Sequence, residues 1–199
     1  MWCPVLTVEF LKLCLRVVSG KVKTFVVLNL LFFGWVFVVV LLMQFLFPPP
    51  LYSGWSLMVP EFLVGNWLTM VLGIFAFNLV LSAFVVVTLP GVVFFPLSAA
   101  ALLYRAVLWG LLLYVTPTWL FLAALPTLVL EGEAYVFAAA AGTVVGVSWI
   151  KPKWLHREEG LSRVEAFKKG FEECLRLYVF VAALLFVAAV VETATIMLI

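Results

Sequence analysis

The 199-residue chain contains no aspartate, one histidine (His156), and only Asn29, Asn66, Asn78 and Gln44 as side-chain amides. These gaps remove most hydrolytic chemistry. There is no Asp pair, no His-Glu-x-x-His, no Gly-x-Ser-x-Gly, and no base in sequence beside Ser98, Thr143 or Ser148. A GxxxxGK phosphate loop is missing too, so neither an enzyme nor a bound cofactor is expected. Cys3, Cys14 and Cys174 form an odd set without paired spacing and read as free thiols. His156 has no Cys or His near it at ligand spacing, which argues against a metal site.

Charge is scarce as well, at 11% of residues against 67% hydrophobic, far from the balance of a soluble domain. Such a chain is an integral membrane protein with room for about four to six spans of ~20 residues. Little remains for an extramembrane domain, so the expected partners are the lipid bilayer and other membrane proteins or a second copy, with no nucleic acid. The fold class expected is all-α, a polytopic bundle of five transmembrane helices forming a single domain over residues 1–199.

Residues 1–23 carry Lys12, Arg16, Lys21 and Lys23 against Glu9, interleaved with Val8, Leu11, Leu15 and Val18. That pattern predicts an interfacial amphipathic helix with its basic residues toward anionic lipid. The apolar run at 24–47 is too long for the h-region of a signal peptide and is the first span. Pro48, Pro49 and Pro50 end it, and a second span at 66–89 stops at Pro90 and Gly91, with Asn78 facing the bundle. Residues 91–130 allow two readings. One places a span at 92–115 followed by a short broken helix near 119–125; the other makes 91–104 interfacial or re-entrant, with the span at 106–128. The fourth span, 133–150, is rich in Ala and Gly, and Ala138, Gly142 and Gly146 form a four-residue stripe that admits a close neighbour. Most of the charge follows in a loop at 151–175, and the last span covers 176–197 with Glu192 inside it.

Four of the basic residues lie at the amino terminus, seven lie between Lys151 and Arg176, and only Arg105 lies elsewhere. The positive-inside rule then puts the amino terminus and the 151–175 loop in the cytoplasm and the carboxyl terminus outside a cell membrane crossed several times. Within the loop, Ser162 and Glu165 have capping-box spacing ahead of Phe167, Phe171, Cys174 and Leu175 on one face. This second amphipathic helix either lies on the inner membrane surface or docks a partner.

Arg105, Glu131, Glu133 and Glu192 are the ionisable residues near or within spans away from the cytoplasmic side. A charge at bilayer depth costs about 2.5–3.5 kcal/mol on insertion scales, so Arg105 is expected to pair with Glu131 or Glu192 across helices. The cluster could be a structural staple, or Glu131 and Glu133 could sit in the outer headgroups at a helix amino terminus. It could also be a proton or cation relay or a polar ligand cavity.

Leu125, Pro126, Glu131, Ala134, Gly142 and Gly146 fall in the register of a known pattern, with Thr127 and Leu128 standing where that pattern has His and Gly. Ala188, Ala189 and Glu192 near the carboxyl end, with Gly170 and Asn66, extend the agreement. On these residues the chain resembles the stage II sporulation protein M family of polytopic membrane proteins. The resemblance implies a non-catalytic anchor or organiser; the spore-forming bacterial member is a membrane component of a complex with cell-wall hydrolases. The departure at Thr127 and Leu128 removes any role that needs the histidine. A transporter or permease subunit using Arg105, Glu131 and Glu192 is the competing class, suggested by the intramembrane charges and the interrupted apolar region after Pro90.

Overall fold

The computed structural model describes residues 4–47, 66–155 and 160–198. The proline-rich connection after the first span, with Ser53, Gly54 and Glu61, lies outside the described residues, as do Cys3 and His156. The described chain is helical: α1 Pro4–Ser19, α2 Val22–Leu46, α3 Trp67–Ala76, a π-helical stretch Phe77–Thr88, α4 Leu89–Val93, α5 Pro96–Val115, α6 Thr118–Ile150, α7 Pro152–Leu155 and α8 Arg163–Leu198. Five continuous helical stretches are long and apolar enough to cross a membrane: Val22–Leu46, Trp67–Val93, Pro96–Val115, Leu120–Ile150 and Arg163–Leu198. In hydrocarbon no water can satisfy the backbone, and a helix closes its own hydrogen bonds, which is why apolar length alone fixes these elements.

The second stretch passes through Pro90 without a break. Pro90 lies inside this continuous stretch, second in the short α4, and leaves one carbonyl of the preceding turn without its N–H; the chain turns only at Phe94 and Phe95 before Pro96 opens α5. From there α5 runs uninterrupted past Tyr104 and Arg105 to Val115. The larger difference from expectation is at Pro126. The short helix near 119–125 and the span at 133–150 are one helix, α6, with Pro126 inside it. Its 33 residues extend ~50 Å at 1.5 Å per residue, longer than the ~30 Å hydrocarbon layer. A proline nine residues into such a helix frees one carbonyl, that of Leu122, near its end. Glu131 and Glu133 are consequently inside a helix, not at an outer amino terminus where the dipole would hold them.

The core centres on α6, where Ala134, Tyr135, Val136 and Ala138–Ala141 are all fully buried. It packs most extensively on α8. Ser148 faces Gly170 at one end, and Thr127 and Glu192 share a cavity at the other, so the two helices are antiparallel. The alanines and glycines let them close without a hydrophobic driving force, since lipid is as apolar as leucine. Gly142 and Gly146 lie against the turn between the second and third spans: a Cβ at Gly142 would strike Ser98 Oγ and come within 2.5 Å of the Thr88 carbonyl oxygen, and one at Gly146 would strike the Gly91 carbonyl. Thr88 Oγ1 donates to the Ala138 carbonyl at 2.9 Å, so all three stripe residues meet the same neighbour inside the molecule.

At the basic end, α1 turns into α2 through Gly20 and Lys21, and Lys21 Nζ pairs with Glu173 Oε2 of α8 at 2.9 Å. The amino-terminal arm and the start of α8 therefore share one end of the bundle. Ser162 caps α8 as its spacing predicts: its N–H and Oγ donate to Glu165 Oε2 at 2.9 and 2.6 Å. The amphipathic helix and the last span form one continuous rod.

The glycine contacts carry a test. Gly142→Ala should destabilise the protein by about 1–3 kcal/mol through overpacking. Gly34→Ala, with nothing within 4 Å of the added carbon, should be neutral or slightly stabilising. Unfolding midpoints in mixed micelles would compare the two.

Candidate functional site: an intramembrane charge network beside a lateral cleft

Three helices converge on Tyr135, which is wholly buried on α6. One turn away on the same face stands Glu131, 4% exposed, at the i,i+4 spacing that lets side chains meet. Across from them is Asn78 of the π stretch, 7% exposed. Asn78 Nδ2 donates to Glu131 Oε1 at 2.6 Å. The single Tyr135 hydroxyl proton is placed between Glu131 Oε2 at 3.0 Å and Asn78 Oδ1 at 3.2 Å. Arg105 of α5 donates through Nη2 to the same hydroxyl at 2.6 Å, and its guanidinium carbon stands 4.5 Å from the Tyr135 ring centroid, a cation–π contact. Ser82 Oγ completes the group by donating to Asn78 Oδ1 at 3.3 Å.

The expected Arg105–glutamate pairing is thus indirect. Among the described residues no ion pair joins Arg105 to Glu131 or Glu192; the tyrosine hydroxyl relays between Arg105 and Glu131. Tyr135 passed unnoticed in the sequence reading, although its spacing from Glu131 was the available signal. Asn29, also missed, meets Glu133 at 3.5 Å. Two residues apart on a helix, Glu131 and Glu133 point in different directions, so Glu133 leaves the cluster and faces α2.

The π stretch keeps the row that begins with Asn78 and Ser82 facing inward as far as Val87 and Thr88. Its buried residues are Asn78, Ser82, Ala83, Val87 and Thr88, recurring at every fourth to fifth residue as i→i+5 bonding dictates. An α-helix would turn part of that row toward lipid. Side-chain donors secure its far end: Ser98 Oγ donates to the Val87 carbonyl at 3.0 Å, and the Thr88 and Tyr178 hydroxyls are 2.6 Å apart.

Beside the network is a cavity of about 550 Å³ whose lining includes Asn78, Arg105, Glu131 and Glu192, with Phe77 and Leu108 at its rim. The backbones of α3 and α5 stay more than 8 Å apart, and Phe77, Leu108 and Leu112 are exposed on the bundle surface, so the cavity opens on that side as a lateral cleft. A smaller cavity of about 130 Å³ continues toward Thr116 and Thr195. Trp109, Leu112 and Glu192 line both. Among the described residues no group of three or more His, Cys or Glu could hold a metal ion.

The five apolar helices and their buried charge network define a polytopic helical membrane protein. The family model for stage II sporulation protein M matches residues 23–195, nearly the whole chain, and the protein belongs to that family. No curated protein and no solved structure matches it.

The network predicts an unequal pair of mutants. Tyr135→Phe leaves Arg105 and Glu131 without their common partner and should cost about 1–3 kcal/mol. Glu133→Gln breaks one long hydrogen bond and should cost under about 1 kcal/mol. Denaturation by detergent exchange, read by circular dichroism, would rank them.

Proposed function

We propose that this protein is a non-catalytic membrane scaffold or anchor of the stage II sporulation protein M type, holding a membrane-associated complex. The observation that carries this reading is the use made of the intramembrane charges: Arg105 and Glu131 are joined through Tyr135 and Asn78, tying α5, α6 and the π stretch together. Charges engaged in this way fix helix register, which a scaffold needs and a catalyst gains little from. The docking face proposed for protein partners, or for a second copy, is the start of α8, where exposed Phe167 and Phe171 stack with ring centroids 6.3 Å apart beside Lys168.

Crosslinking in native membranes followed by mild extraction tests the reading. A defined set of proteins should co-purify, and Phe167→Ser with Phe171→Ser should lose it while Glu192→Gln keeps it. An unchanged set in the double variant would overturn the docking face.

A transporter or permease subunit is the second reading, favoured by the cleft of about 550 Å³ with Arg105, Glu131 and Glu192 in its lining. It requires ion or solute flux in reconstituted vesicles that Glu192→Gln abolishes in folded protein. Absence of flux, alone and with co-purified partners, would eliminate it.

Orientation belongs to the same proposal. The basic end, with Lys21, Lys151 and Ser162, is cytoplasmic, and the end carrying Thr116 and the carboxyl terminus is outside. In a cysteine-free background, Thr116→Cys should react with an impermeant thiol reagent applied outside intact cells, and Ser162→Cys only after permeabilisation. The reverse pattern would invert the topology.

A further inference from the structure

Arg105 and Glu131 balance one another through the Tyr135 hydroxyl, which leaves one charge in the lining of the cleft unmatched. Glu192 has no hydrogen bond or ion pair among the described residues, yet it lines both the lateral cleft and the smaller cavity beyond it. Leu198, the last described residue of α8, is six positions further on, so Glu192 stands ~9 Å inside that end. A carboxylate ionised at that depth is stabilised by a cation held against it. Apart from Asn78, Arg105 and Glu131 of the network and three threonines of the smaller cavity, the wall is apolar, and Trp109 is the one aromatic side chain shared by both cavities, its ring face suited to a positive charge. The cleft opens sideways past Phe77 and Leu108, so an occupant can enter from the bilayer and leave an apolar tail there.

We propose that the cleft between α3 and α5 binds an organic ammonium group attached to an apolar tail, with Glu192 as its counter-charge and Trp109 packed against it. The net negative balance of Arg105, Glu131 and Glu192 selects against anionic headgroups, and the exposed apolar rim selects against small hydrophilic cations. Two sources share this chemistry: the amine headgroup of an aminophospholipid and a free long-chain amine. The site does not depend on the scaffold reading, since a scaffold and a carrier could each hold such a ligand.

The test uses the purified full-length protein in neutral micelles and dodecylammonium as probe, with dodecanol and dodecyl phosphate as controls, measured by calorimetry. One saturable dodecylammonium site per chain is expected, at least about tenfold tighter than either control, as a hydrogen-bonded charge contact gives. Glu192→Gln should weaken it about tenfold or more and Trp109→Leu by several-fold, while Glu133→Gln, which faces α2, leaves it unchanged. Dodecylammonium binding no tighter than dodecanol in the unmodified protein overturns the proposal, whatever the variants do; so does unchanged binding in folded Glu192→Gln. Native mass spectrometry from nanodiscs mixing phosphatidylethanolamine with phosphatidylcholine then separates the sources. Aminolipid retained by the unmodified protein and lost in Glu192→Gln identifies the lipid, whereas retention of neither lipid alongside saturable dodecylammonium binding identifies a free amine.

Discussion

The carboxylate of Glu131 is buried among helices at the wall of the cleft, and the arrangement of the surrounding helices follows from how the protein answers that charge. Two donors meet its two oxygens, Asn78 Nδ2 on one and the Tyr135 hydroxyl on the other. Because that hydroxyl also accepts from Arg105, one oxygen atom holds the register of α5 against α6 and of both against the π stretch. Removing any one partner would strand a polar group where nothing replaces it, which gives so small a network its structural leverage.

Close approach of the helices makes this geometry attainable. Alanine and glycine along α6 bring the backbones of α8, the π stretch and the α4–α5 turn near enough for hydroxyls to bond carbonyls across helices, as Thr88 does with Ala138. In a soluble protein such a surface would bury too little apolar area to be held. In lipid the hydrophobic term is nearly absent, and shape and interhelical hydrogen bonds decide. Gly142 and Gly146 are occupied inside the molecule against Ser98, Thr88 and Gly91, and that face is consequently not free to meet a second copy.

Much of this was legible in the chain itself. Apolar length gave five spans, and the small-residue stripe and the glutamate in its register marked both the central helix and the family. The Ser162–Glu165 spacing gave the cap of α8. Two features were hidden for physical reasons. Proline reads as a stop because it lacks a donor, yet Pro126 sits in the first third of a helix whose other bonds continue through it, and the expected break did not occur. The π stretch was invisible because pattern reading assumes one turn per 3.6 residues, whereas the row from Asn78 and Ser82 on to Val87 and Thr88 stays on one face only with a wider turn. A charge-by-charge reading sought a partner for Arg105 among carboxylates. It therefore passed over Tyr135, which at bilayer depth can bond the cation with its hydroxyl and its ring together.

The polar interior is reachable unequally from the two ends. Below Glu192 the two cavities lead toward Thr116 and Thr195, while above Tyr135 the buried run Ala138–Ala141 and the Gly142–Ser98–Thr88 contacts stand between them and a cavity of about 560 Å³ at the basic end, lined by Lys21, Thr143 and Trp154. Passage across the membrane would have to part those contacts, where backbones already approach as closely as they can. A helix pair closed on glycine resists small displacements and yields only to a larger, discrete one, since packed cores are bistable and not continuously deformable. The arrangement is therefore that of a cleft beside one half of the bundle and a second cavity at the basic end, with a close-packed partition between them. For a scaffold that partition is the purpose; for a carrier it would be the gate.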